Sequence, residues 1–199
     1  EKAVVFKNNA PLANRLGSPI TGYNYYYIYC LWGHGWTHKG NGYGRLLMEY
    51  CIADAKAKGK SGICMLGSEK TKSLAFRPGI CQKFGFEVVD TTDSGYDLLA
   101  LSFDGTTPQF TKSAKPKQSR TKSSPSTTTI NAPTPTNHRK PSKKYCESTN
   151  TPSAFIQVDT LQKAKTLPCV FNNWAIFYKG NFETVNLADL NTIKRILNK

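Results

Sequence analysis

At 199 residues the chain has room for one ordinary domain or two small ones. Its 27 Lys and Arg against 13 Asp and Glu leave a formal charge of +14, which at first reading suggests a polyanionic partner. No apolar run is long enough to span a membrane and no signal-peptide pattern is present, so a cytoplasmic protein with no membrane partner is expected.

Residues 1–22 read as an irregular leading segment, in which Glu1 to Phe6 is a strand remnant and Asn8 to Ser18 is loop. Tyr25-Tyr26-Tyr27-Ile28-Tyr29-Cys30-Leu31-Trp32 then forms a dense aromatic strand pattern. A glycine loop follows, Lys39-Gly40-Asn41-Gly42-Tyr43-Gly44-Arg45. Leu46, Leu47, Tyr50, Cys51 and Ala55 then fall at helical spacing and close at Gly59. Strand, glycine loop and helix together aim backbone N–H groups and a positive helix end at a phosphate. Glycine suits such a loop because a Cβ would obstruct close approach of the backbone to a ligand. The spacing is not that of a dinucleotide fingerprint, and the Gly-Lys-Ser/Thr of a Walker loop is absent. A glycine turn that merely starts a helix is the plain alternative.

Ser61 to Leu66 reads as a short buried strand between Gly59 and Gly67. Leu74 to Phe84 has the character of a helix interrupted near Pro78-Gly79. Lys83-Phe84-Gly85-Phe86-Glu87-Val88-Val89 then describes a helix stop and a strand start. Tyr96 to Phe103 supplies another strand.

Over roughly residues 23–104 this succession resembles the C-terminal half of a GNAT-family N-acetyltransferase domain. The family's motif A is written Gln/Arg-x-x-Gly-x-Gly/Ala, and here it reads Lys39-Gly40-Asn41-Gly42-Tyr43-Gly44, with Lys in the leading basic place. Lys83-Phe84-Gly85-Phe86 is similar to the family's Lys-Leu-Gly-Phe-like helix end. The resemblance implies acetyl-CoA as cosubstrate and an unidentified amine as acceptor. It further implies a pyrophosphate held around Lys39, Gly40, Asn41, Gly42, Tyr43, Gly44 and Arg45, and an acetyl carbonyl polarised by a backbone N–H near Trp32-Gly33.

Many members place a Tyr general acid four residues before the Gly-Phe pair, and Cys81 occupies that position here. An ordinary buried Cys is the competing reading. The aromatic strand offers no carboxylate as base, which leaves His34 and His38 against the reading that both are solvated loop residues. Catalytic residues therefore stay unassigned. A complete GNAT domain has about a strand, two helices and two more strands before this point, so an N-terminally truncated chain is expected. The alternative function is a noncatalytic coenzyme-A-binding or regulatory module that keeps motif A without an acceptor site.

Thr111 to Lys144 carries nine Lys or Arg and no carboxylate among Ser, Thr and Pro, a composition expected to stay disordered. It lacks the aromatics that stack bases, so specific nucleic-acid recognition is not expected. Beyond it, Phe155 to Asp159 reads as a strand and Thr160 to Lys165 as a short helix start broken at Pro168. Trp174 to Val185 reads as a hairpin turning at Gly180. Leu187, Leu190, Ile193, Ile196 and Leu197 follow at helical spacing.

Hairpin plus terminal helix resembles the second half of a thioredoxin-like fold. Asp159-Thr160, Lys163-Ala164, Leu167-Pro168-Cys169 and Phe177 to Phe182 resemble the YoaP-like domain that follows a GNAT domain in some prokaryotic proteins. That resemblance implies a strand ending in a Gln-Cys-Pro-like sequence before the helix of Tyr145-Cys146-Glu147, where this chain has Ile130-Asn131-Ala132-Pro133. A frameshift within the tract is the expectation, leaving the tail domain partial and without its redox-type Cys. The six Cys, at 30, 51, 64, 81, 146 and 169, form no Cys-x-x-Cys pair, so reduced buried thiols are expected and a zinc or other metal site is not.

The expected layout is an α/β (α+β) chain. Its parts are a remnant over 1–22, a partial GNAT domain over 23–106, a basic linker over 107–144 and a partial thioredoxin-like domain over 145–199.

Overall fold

A computed structural model of the chain describes residues 3–9, 19–22, 24–33, 41–69, 75–116, 128–132, 139–151, 153–157, 160, 162–163, 166–171, 175–184 and 189–198. The fold is mixed α and β and divides into two compact units, Glu1–Ala13 with Ile20–Phe110, and Asn14–Pro19 with Thr111–Lys199.

In the first unit, β1 (Ala3–Asn9), β3 (Tyr25–Gly33), β4 (Gly62–Gly67), β5 (Glu87–Thr91) and β6 (Asp97–Ser102) form one sheet in the order β1-β3-β4-β6-β5. Only β3 and β4 run parallel; the other neighbours are antiparallel. A parallel pair needs a crossover, and α1 (Tyr43–Ala57) supplies it. A two-residue pair, β2 (Ile20–Thr21) with β7 (Gln109–Phe110), lies outside this sheet.

The helix α1 buries Met48, Cys51 and Ala55 against Tyr26 and Ile28 of β3 and Ile63 and Met65 of β4. It ends as the sequence predicts: Gly59 takes φ +58°, its N–H donates to the Lys56 carbonyl, and the Lys60 N–H donates to the Ala55 carbonyl. This Schellman pattern satisfies carbonyls the last turn leaves open.

The same end of α1 is clasped to the start of β3 through Asn24. Its Nδ2 donates to the Gly59 carbonyl at 2.8 Å, its Oδ1 accepts from Lys60 Nζ at 3.1 Å, and its own carbonyl accepts from the Ser61 N–H at 3.1 Å.

Gly62 opens β4 beneath the Tyr25 ring, and the Tyr25 hydroxyl donates to the Thr106 carbonyl. All six residues of β4 are buried, as a central strand requires.

Two expectations need correction in this unit. The leading segment is not merely a six-residue remnant, because β1 runs from Ala3 to Asn9 as a full partner of β3. The helix expected from Leu74 shortens to α2 (Pro78–Cys81) and a 3-10 turn over Gln82–Phe84. Pro78 can start a helix but cannot continue one from residues before it. Phe76 instead bridges Gly67. Leu74 itself lies outside the described residues.

The second unit holds β8 (Thr128–Ala132), α3 (Arg139–Ser148), β9 (Ser153–Gln157), β10 (Ala175–Tyr178), β11 (Asn181–Thr184) and α4 (Leu190–Leu197). Its sheet has the order β11-β10-β8-β9, with β8 and β9 parallel around α3 and the other pairs antiparallel. Ile193 and Ile196 of α4, Ile176 of β10 and Cys146 of α3 form its core.

The β10–β11 hairpin turns through Lys179 and Gly180 at φ +49° and +77°, the left-handed pair a two-residue turn demands. Asp189 caps α4, its Oδ1 accepting the Thr192 N–H at 2.7 Å.

The stretch expected to be a disordered linker over 107–144 contains β7, β8 and the start of α3. Pairing of β8 with β9 on one side and β10 on the other satisfies its backbone whatever its side chains are, which composition does not reveal. The five residues Thr128–Ala132 end one position before Pro133.

Candidate functional site

Because the C-terminus of α1 is clasped to the first residues of β3, its N-terminus lies at the other end, beside the carboxyl ends of the parallel strands. That is where open α/β sheets receive ligands. β3 and β4 pair only from Tyr25↔Gly62 to Ile28↔Met65. Both strands then continue, β3 to Gly33 beside β1 and β4 to Gly67 beside β6. A β-bulge marks the parting point: Phe6 faces Cys30 while Lys7 faces Ile28, so Tyr29 is the extra residue. Bulges end pairing and re-aim the chain in this way. Beyond Ile28 the edge of β3 toward β4 is thus released from its neighbour.

At the helix end, Asn41 and Gly42 precede the first turn. Gly42 adopts φ +74°, ψ 3°, has no side chain to cap the helix, and accepts the Leu46 N–H at 3.1 Å. No acid stands in the first turn, so the positive end of the helix is not neutralised from within. A Cβ added at Gly42 or at Gly44 would meet nothing within 4 Å. Tyr43 and Leu46 are exposed. Arg45 Nε donates to Glu49 Oε1 at 2.8 Å, and this bond raises the Arg45 pKa. The guanidinium is held along the helix, one turn from its tip.

The structure therefore brings Asn41, Gly42, Tyr43, Gly44 and Arg45 together at the mouth where β3 and β4 part. Trp32 and Gly33, expected to carry the carbonyl-polarising N–H, remain in register with Val4 and Ala3 of β1. Lys39, Gly40, His34 and His38 lie outside the described residues.

Cys81 is 1 % exposed, its Sγ stands 3.8 Å from Met65 Sδ in the core, and burial pushes its thiol up to about 11. It packs as an ordinary core cysteine. Among the described residues no cluster of three His, Cys, Asp or Glu could hold a metal ion, and no helix is long and apolar enough to cross a membrane.

Sequence reasoning missed the bulge at Tyr29 and the end of pairing at Ile28. A bulge in a run of tyrosines has no local signature, since it arises from the register of β1 against β3.

The YoaP-like family matches residues 152–196. The uncharacterized N-acetyltransferase YoaP of Bacillus subtilis (strain 168) is 28% identical over 200 residues, covering 100% of this chain and 79% of its own length. No solved structure matches the chain. Read with the geometry above, the two matches support a relationship with the acetyltransferases, in a chain of mixed α and β structure.

Proposed function

We propose that the protein is a GNAT-type N-acetyltransferase that moves an acetyl group from acetyl-CoA to an amine. The observation that carries this reading is the parting of β3 and β4 after Ile28↔Met65, at the bulge, beside an α1 N-terminus entered through Gly42.

The open space over Gly42 and Gly44 suits a pyrophosphate on the first-turn N–H groups. The released edge of β3 suits an extended ligand arm that hydrogen-bonds to backbone, as a strand would. In the reaction, the amine nitrogen forms its bond to the acetyl carbon while the carbon–sulfur bond breaks. Sulfur leaves with the electron pair, and the proton shed by nitrogen ends on the thiol. Backbone N–H groups near Trp32-Gly33, at the end of β3, would face the carbonyl oxygen as charge grows there. Cys81, packed against Met65 in the core, is given no part as proton donor in this reading.

The second unit fits the same reading. A parallel β8–α3–β9 pair followed by an antiparallel hairpin and a terminal helix is the strand order of a thioredoxin-like fold, and the YoaP-like match lies within it.

Calorimetric titration with acetyl-CoA, followed by a thiol-release assay across an amine panel, tests the proposal. Binding with turnover supports it. Binding without turnover on any amine would favour the noncatalytic coenzyme-binding module, in line with the buried Cys81. No binding by folded protein would defeat both.

A further inference from the structure

The outward side of α1 carries a repeating apolar pattern. Tyr43, Leu46, Tyr50, Ala53 and Ala57 follow one another at alternating spacings of three and four, which is the spacing of a coiled-coil seam. Met48, Cys51 and Ala55, which bury α1 against the sheet, lie on the other side of the helix. All five seam residues are exposed, and Tyr43, Leu46 and Tyr50 keep 45%, 59% and 63% of their surfaces open. Scattered exposed apolar residues need no explanation, but a line of them along a whole helix marks a surface that gains by being covered.

Charge beside the seam says what fits it. Glu49 and Lys56 flank the seam on one side, two turns apart, and Asp54 flanks it on the other. A second α1 laid antiparallel, with Tyr50 opposite Ala53 of the second copy, also sets Leu46 opposite Ala57 of the second copy. A two-fold axis repeats both contacts, so each large side chain meets a small one. The same register puts Glu49 beside Lys56 of the second copy, once on each half of the pair. Sliding one helix by a heptad would turn these contacts into Glu49 against Glu49 or Lys56 against Lys56. A parallel pair would set Glu49 against Asp54. Charge thus selects one alignment from those the seam allows.

Both flanking groups already have a contact within their own chain. Glu49 Oε1 accepts Arg45 Nε at 2.8 Å, and Lys56 Nζ stands 5.3 Å from the centre of the Phe103 ring. Each keeps capacity for a second, because a carboxylate has two oxygens and an ammonium three donors. The net charge of +14 opposes self-association, but at physiological salt it is screened beyond about 8 Å.

We infer that the outward face of α1 is a self-association surface, on which a second copy of this chain packs its own α1 antiparallel in this register. Tyr43, Gly44 and Arg45 then project past the end of the partner helix, so the mouth beside them stays open. The inference does not depend on the acetyltransferase reading. A single helix pair is small beside the roughly 1,200–2,000 Å² of stable interfaces, so a weak dimer with a Kd of about 10–100 µM is expected.

The test is sedimentation equilibrium of the full chain at about 0.15 M salt, over protein concentrations from about 1 to about 300 µM. The parent is compared with Glu49→Lys, with Lys56→Glu and with the variant carrying both changes. Each single change replaces two attractive contacts by two repulsive ones and should weaken the dimer about tenfold. The double variant restores opposite charges and should return to within about threefold of the parent. Glu49→Lys and its double variant both lose the Arg45 contact, so the difference between them isolates the pair across the axis. A mixture of the two single variants should dimerise more tightly than either alone. Tyr50→Ala, which leaves the charges intact, should also weaken the dimer about tenfold or more.

A parent that stays monomeric over the whole range overturns the inference and leaves the seam to another occupant. Single charge changes that leave the dimer as tight as the parent's overturn it as well. So does a folded double variant no tighter than its singles, which would mean association by another face or register. Should a charge variant fail to fold, Tyr50→Ala decides, and an undiminished dimer there defeats the seam.

Discussion

Replacing Gly44 and Gly42 singly by alanine should push the protein in opposite directions. Gly44 is the second residue of α1, and a Cβ there would meet no atom within 4 Å. Alanine in a helix is favoured over glycine by about 0.5–1 kcal/mol, so Gly44→Ala should stabilise the first unit by up to that amount. Gly42 is equally uncrowded, yet its φ of +74° is left-handed. A Cβ in that conformation costs roughly 1–2 kcal/mol, so Gly42→Ala should destabilise by about that much. Denaturant unfolding should therefore separate the two variants by about 1.5–3 kcal/mol, the sum of the two effects.

Binding should not follow stability. Motif A admits Ala at the place of Gly44, so Gly44→Ala should keep its acetyl-CoA affinity even as the fold strengthens, whereas the bulkier Gly44→Val should lower it about tenfold or more. A folded Gly44→Val protein that binds acetyl-CoA as tightly as the parent would refute a phosphate at this helix end. A Gly44→Ala protein that is destabilised would refute the helical placement of Gly44 itself.

Gly62→Ala should cost about 1–3 kcal/mol in denaturant unfolding, since the added Cβ would stand 2.5 Å from Tyr25 Cε1 and against the Leu101 carbonyl. Ile193→Ala should cost about 2–5 kcal/mol, measured the same way, because Ile193 is fully buried between α4 and β10. Asp189→Ala should lower the melting temperature by removing the acceptor for the Thr192 N–H, and the parent should lose this contribution only as acid protonates a carboxyl that the bond holds below its usual range. Burial raises the Cys81 thiol to about 11 and the Cys169 thiol to about 12. The folded state keeps these protons longer than the unfolded state, so their contribution is whole below pH 9.0 and drains as pH climbs past it toward about 11. Native protein treated with iodoacetamide at pH 8 should stay unlabelled at both positions by mass spectrometry.

Where local chemistry decides, the sequence was readable. The tyrosine run became β3, the helical spacing from Leu46 to Ala55 became α1, Gly59 and Gly85 took positive φ at helix ends, and Lys179-Gly180 turned the hairpin. Pairing partners decided the rest. β8 forms in a polar tract because two neighbours complete its ladder, and β1 extends to Asn9 because β3 lies beside it. The candidate site divides the same way. Gly42 and Gly44 were legible as glycines before a helix, whereas the parting of β3 from β4 and the bulge at Tyr29 are properties of register that no residue announces.

The Asn24 clasp has a mechanical consequence. Three hydrogen bonds pin the far end of α1 to the strand start, and the fifteen-residue helix between clasp and tip is a rigid lever. At 1.5 Å per residue it is about 22 Å long, so a swing of only about 5° about the pivot carries the tip through roughly 2 Å. Fine adjustment of the mouth thus needs no rearrangement of the sheet. Hydrogen exchange should show this as a gradient, with the Ser61 amide slow throughout and the first-turn amides fast until a phosphate-bearing ligand arrests the swing.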